Sequence, residues 1–178
     1  LSVDVFAGET AEIDGIQVSA GVAKASRMRG LQASLASFAD ESIQGFQTGG
    51  LYAFTRQGGE GFQSAGLMSR MDGSYRGFQS AGLATTAQGG FQGFQSAGLG
   101  AWNEGRMRGF QSAGLLAYNT GEVDGFQTAG LAARSRERVR GFQTAGIVAM
   151  GGGDLQGFQT SGVAAWNEGR LRGFQTSG

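Results

Sequence analysis

Cysteine, histidine and proline are absent from the 178 residues, and 14 basic side chains balance 14 acidic ones. Without cysteine there is no disulfide frame, no thiolate nucleophile and no Cys-type zinc site. Without histidine the commonest general base and metal ligand is missing, so catalysis would rest on carboxylates, Lys24, tyrosines or hydroxyls. These absences disfavour an enzyme, and no catalytic, metal or cofactor-binding residues are assigned. A net charge of zero argues against a nucleic-acid partner, which is held by many uncompensated Lys and Arg contacts to phosphate. No run approaches the ~18 to 20 apolar residues of a membrane-spanning helix. The opening Leu-Ser-Val-Asp-Val-Phe lacks the basic start and apolar stretch of a signal peptide, and residue 1 is not methionine, as expected of a processed or excised segment.

Glycine, by contrast, is abundant. It contributes 35 residues, far above the usual ~7%, yet 40% of the chain is hydrophobic, which no disordered linker requires. The glycines follow a repeat. Gly-(Phe/Ile/Leu)-Gln begins at Gly15, Gly30, Gly45, Gly61, Gly77, Gly93, Gly109, Gly125, Gly141, Gly157 and Gly173, the first two intervals being 15 residues and the rest 16. AWNEGR occurs at Ala101 and again at Ala165, four units apart, which points to duplication of blocks of units.

Within the unit at Gly157, apolar and polar residues alternate with period two, the mark of a strand, and the glycine density disfavours helix. Asn103-Glu104-Gly105-Arg106 and Asn119-Thr120-Gly121-Glu122 occupy the same place in their units and signal a turn. A second corner falls at the Ala-Gly step, because the short unit at Gly30 aligns if the glycine before Leu35 is missing. In the unit at Gly15, Val18 reads as an extra residue just before Ala20-Gly21. Two strands and two turns per unit predict an all-β fold, a β-solenoid of about eleven 15- to 16-residue coils. The competing architecture is an antiparallel β-meander or β-barrel with one strand per repeat, of the outer-membrane type. Residues 1–14 then form an N-terminal cap or joining strand, and residues 15–178 the tandem repeat domain.

Gln17, Gln32, Gln47, Gln63, Gln79, Gln95, Gln111, Gln127, Gln143, Gln159 and Gln175 share one repeat position. In a parallel stack each side-chain amide donates to the next, so we expect a structural ladder, with a polar recognition stripe as the alternative. Phe46, Phe62, Phe78, Phe94, Phe110, Phe126, Phe142, Phe158 and Phe174 form a second row. Core packing is our first reading of it, and an exposed docking or lipid-contact stripe the second. A third row, running from Thr48 and Ser64 to Thr160 and Thr176, invites comparison with ice-binding solenoids, but it is single-file and four of its nine residues are serine. A role in Ser/Thr turns is the preferred reading. The charged residues read as solvated rims, with Arg134, Arg136, Arg138 and Arg140 as a basic patch suited to an anionic partner. Glu104, Glu168 and Asp72 could be imagined as catalytic carboxylates, but they fall in separate units.

The stretch GFQTAGIVAMGGGDLQGFQTSGVAAWNEGRLRGFQ from Gly141 onward resembles the GxQxxGLxN-type surface-repeat proteins of Gram-negative bacteria. The resemblance runs from about Ile13 to Gly178. It departs from the family pattern at Ala101, Ala133, Ser69 and Thr85, where that family often has asparagine. It implies an envelope or exported protein, at the Gram-negative cell surface or extracellular, and it implies no activity; our own expectation is a non-enzymatic structural role there.

Asp4, Glu9, Glu12 and Asp14 crowd the first fourteen residues without a base, while Arg170 and Arg172 lie in the last unit. An uncovered solenoid end is an open strand edge, so we expect end-to-end self-association into fibres. An envelope or surface partner, membrane contact through the Phe row with Trp102, Tyr118, Met150 and Trp166, and an ice- or glycan-binding solenoid are the other expectations.

Overall fold

The computed structural model describes residues 2–4 and 7–178, and these form eighteen strands. Every strand pairing among them is parallel. The step is one repeat: Gly109 lies beside Gly93 on one side and Gly125 on the other, and Phe110 and Gln111 keep the same register. The chain is therefore a β-solenoid of about ten turns. Parallel pairing of neighbouring units rules out the antiparallel meander and barrel, in which adjacent strands would alternate in direction.

One coil illustrates the rest. A seven-residue strand, Met107–Ala113, meets a two-residue bend at Gly114-Leu115, and a four-residue strand, Leu116–Asn119, leads into the polar turn before the next strand at Val123. Long strands stack on long strands and short on short, which makes two parallel faces. The bend at the Ala-Gly step is the corner expected from the sequence. Where its glycine is missing, before Leu35, strand runs unbroken from Val22 to Thr55, 34 residues rounding successive coils without an irregular residue. Val18 is not an insertion: it pairs with Val3 and Ala33 at the ordinary outward position. The residue lost from the Gly15 unit falls in its polar turn. There, two residues separate the buried Ala25 and Met28, where three separate the equivalent Asn103 and Met107. A turn shortens without moving the side chains of either strand to the wrong face, which a slip inside the ladder would do.

Ser2–Asp4 pairs with Gln17–Ser19, so part of the N-terminal segment is a strand joined to the first coil; Leu1, Val5 and Phe6 lie outside the described residues. The core is a narrow slot between the two faces. On the long-strand side it holds one apolar row that includes Met107, Val123, Val139 and Leu155, then the glutamines, then alanines. On the short-strand side it is lined by small residues, Ala101, Ala117, Ala133 and Ala149 among them. These alanines occupy the place where the resembling family often has asparagine, and they leave the width that a buried glutamine needs. Tyr75 and Phe91 are neighbours in the apolar row, with ring centroids 6.0 Å apart. The Tyr75 hydroxyl is buried without a partner, and burial raises its pKa above the usual phenol value.

The glycine before each phenylalanine sits mid-strand with positive φ, for example +119° at Gly109 and +141° at Gly125. A side chain at Gly125 would overlap the carbonyl oxygen of Gly109 in the coil below. Gly90 differs: a Cβ there meets nothing nearer than 3.6 Å. Gly125→Ala should therefore cost at least ~2 kcal/mol from forbidden backbone geometry alone, and Gly90→Ala should be close to neutral, as read from thermal or urea denaturation of the two variants. Tyr75→Phe removes an unpaired buried hydroxyl and should stabilise by up to about 1 kcal/mol. The unfolded phenol ionises first as pH rises, so Tyr75 subtracts stability above about pH 10. Melting curves across that range should show a smaller alkaline loss in the variant.

Candidate functional site

The glutamine ladder is where the sequence places it, inside. Gln17 through Gln159 are buried in every coil. From Gln32 to Gln159 each Nε2 donates to the Oε1 of the preceding coil's glutamine, at 3.1 Å for Gln111 to Gln95 and 3.0 Å for Gln127 to Gln111. The same nitrogen also reaches across the slot: Gln111 Nε2 lies 3.2 Å from the Tyr118 carbonyl and 3.1 Å from that of Ala101. One amide thus ties a coil to its neighbour and the long face to the short face. A buried amide so placed satisfies itself and leaves nothing for a ligand, so the recognition-stripe alternative falls. At the upper end Gln159 Oε1 has no donor and Gln175 is only half-buried.

The phenylalanine row points outward, the reverse of the core packing that the sequence favoured. The apolar residue two before each glycine, the Gln and the Ala of each long strand face in, and Phe, with the Ser or Thr two residues on, faces out. Seven of the nine phenylalanines are 36% to 65% exposed, and Phe62 and Phe78 are half-buried. The rings stack along the rod: Phe110 to Phe126 is 4.6 Å between centroids at 2°, and Phe126 to Phe142 is 4.8 Å at 0°. A second exposed row was not singled out from the sequence. Leu51, Leu67, Leu83, Leu99, Leu115 and Leu131 stand at the corner just beyond the Ser/Thr row, each 43% to 47% exposed. Their 16-residue spacing, immediately after the corner glycine, was the available signal. The long face thus carries, from one edge to the other, a polar row, Phe, Ser or Thr, and Leu.

The polar row precedes each glycine and includes Glu60, Arg76, Arg108, Asp124 and Arg140. Its charges pair along the rod, Arg76 to Glu60 at 3.3 Å and Arg108 to Asp124 at 3.7 Å, with Arg106 also on Asp124 at 2.6 Å. Such exposed pairs are worth well under ~1 kcal/mol each, so the row is a charged rim more than a source of stability. The four arginines proposed as one basic patch are divided by the polar turn: Arg134 projects from the short face and Arg140 from the long face. Arg136 instead covers the Tyr118 ring at 5.6 Å, and Arg138 lies 3.7 Å from Glu122. Asp72 is held by Arg70 at 2.7 Å, while Glu104 and Glu168 are exposed in turns four coils apart. Among the described residues, no three metal-ligating side chains come together.

The short face is uneven. Its outward positions hold Thr86, Trp102, Tyr118, Arg134, Met150 and Trp166 in successive coils. Near the N-terminus Phe38, Tyr52 and Phe54 cluster, with centroids 5.7 to 6.4 Å apart, in a groove also lined by Lys24, Asp40, Arg56 and Arg70. The sequence reading missed this cluster, although Phe38 and Phe54 stand one unit apart. The uniform long face is the better candidate site, because only it presents the same chemistry in every coil.

No protein-family model, curated protein or solved structure matches this chain. Gln111→Leu should test the ladder. It leaves the Gln95 carbonyl without its donor and the Gln127 amide without its axial acceptor, at a cost of about 2 to 4 kcal/mol. Gln175→Leu, at a position half-exposed and without a side-chain bond to Gln159, should cost a small fraction of that in the same denaturation assay.

Proposed function

We propose that the protein is a non-enzymatic structural rod of the Gram-negative cell surface that extends by stacking end to end. The observation that carries this reading is the ladder. Every element of a coil, the two strands, the glutamine amide and the apolar row, is built to receive an identical coil above it. The last long strand, Leu171–Ser177, has one neighbour only, and Leu171 is 43% exposed although its equivalents Leu155, Val139 and Val123 are fully buried. A further coil stacked on this strand would cover Leu171, give Gln159 and Gln175 fuller partners, and continue both faces without a new kind of contact. The motif resemblance supports the surface location. A narrow core whose glutamine amides are committed to the ladder supports a role without chemistry.

Leu171→Lys provides the test. The side chain is exposed on one copy, so its circular dichroism should match the parent chain. Negative-stain images of the parent should show rods longer than the roughly 50 Å that ten strand spacings provide, lengthening with protein concentration at constant width. The variant should give only the single short length. A parent chain of one fixed length at every concentration rejects axial assembly.

A further inference from the structure

The long face offers a second contact, independent of the rod ends. We propose that it is the interface of an antiparallel dimer, with a second copy of this chain packed face to face through the Phe and Leu rows.

Area is the first argument. An aromatic side chain carries about 150 to 250 Å², so the exposed parts of nine phenylalanines and of the leucines come to on the order of 1,000 Å² of apolar surface, in two rows on either side of the Ser/Thr row. The largest patch on an ordinary monomer is about 300 to 600 Å², and a stable pair needs about 800 Å² from each partner. From Gly45 onward no ionisable residue stands at a Phe, Ser/Thr or Leu position of this face. The face is also periodic, and its stacked rings, 4.6 to 4.9 Å apart, present a regular row of ring edges against which the equally spaced rings of a copy can pack.

Symmetry chooses the orientation. A two-fold axis along the rod would set the polar row of one copy against the leucines of the other and bury charge under apolar surface. A two-fold axis along the strand direction reverses the order of coils and keeps each row opposite its own kind: Phe on Phe, Leu on Leu, polar on polar. The interface is then isologous and closed.

Charge chooses the register. With the Phe rows centred on each other, Arg108 faces itself and Arg76 faces Arg140. Sliding by one coil in either direction removes both like-charge pairs while eight coils still overlap. In one direction Arg76 meets Asp124 and Glu60 meets Arg140; in the other Arg108 meets Asp124 and Glu60 meets Arg172. Asp124 is paired with arginine in both, so it is the charge on which the dimer turns.

Sedimentation equilibrium of the 178-residue chain, with circular dichroism on every variant, tests this. Leu171→Lys, in which end-to-end stacking is blocked, should show a reversible monomer–dimer equilibrium. Phe110→Ser with Phe126→Ser should abolish the dimer and keep the β spectrum; Leu115→Ser with Leu131→Ser, which leaves the stacked rings intact, should weaken it at least about tenfold. Asp124→Arg should weaken it by a similar factor, and one of Arg76→Asp or Arg108→Asp, combined with it, should restore it and identify the register. A parent chain that remains monomeric overturns the proposal, and flotation of that monomer with phosphatidylcholine vesicles would assign the face to lipid instead. Assembly that survives both the Phe and the Leu variants but is lost in Leu171→Lys also overturns it, while upholding the axial rod.

Discussion

Each glutamine amide reaches the amide of the coil below over 2.8 to 3.5 Å, and that contact fixes most of what surrounds it. A side chain buried on a strand can bond its own copy only if the strands are parallel, in register and one strand spacing apart. The slot that encloses the ladder must then be narrow, which is why alanine lines the opposite wall and why the core contains few large side chains. It must also let backbones approach closely within the long strand. The glycines before each phenylalanine meet that need with a backbone geometry closed to other residues, each lying against the carbonyl of the one below.

The same constraint makes the molecule nearly one-dimensional. Each coil touches only the coil above and the coil below, so stability accumulates by nearest-neighbour terms and a fault in one coil is felt in two interfaces. The two 15-residue units show how irregularity is absorbed. One shortens in the polar turn, the other at the corner, and in both the inward glutamine and apolar positions keep their register. A deletion inside a strand would have turned Gln32 or Met28 toward solvent, and the ladder would have ended there.

Most of this was legible in the sequence. The period, the two turns and the glutamine row together called for a parallel stack, because a buried line of amides has no comparable self-satisfying arrangement in an antiparallel barrel. The direction of Phe was not legible. Gln111 and Phe110 are adjacent, so one faces in and the other out, and a size-based reading puts Phe in. What decided otherwise was polarity set against available partners: an outward glutamine gains little over water, whereas an inward one completes a ladder and ties both walls together. The spread of Arg134 to Arg140 around a turn, and the Phe38, Tyr52 and Phe54 cluster, depend on which side chains the two faces separate or bring together, and alternation along one unit does not encode that.

The uniformity of the outer Phe row has to be explained by something other than the slot. Copying of whole units spreads any residue, but the short-strand outward position came through the same copying and now holds Thr86, Trp102, Tyr118, Arg134 and Met150 in consecutive coils. Ring stacking along the rod accounts for part of the difference, at about 0.5 to 1.5 kcal/mol per aromatic pair. It does not account for the leucines at the corner, which stack on no ring and leave more than two fifths of their surface in water. The Phe and Leu rows, which flank the Ser/Thr row and contain no charged residue, have one property in common that the fold does not require: both hold apolar surface in water. The inward residues are set by the coil's need for another coil, and the outward ones by a second surface laid against the rod's side.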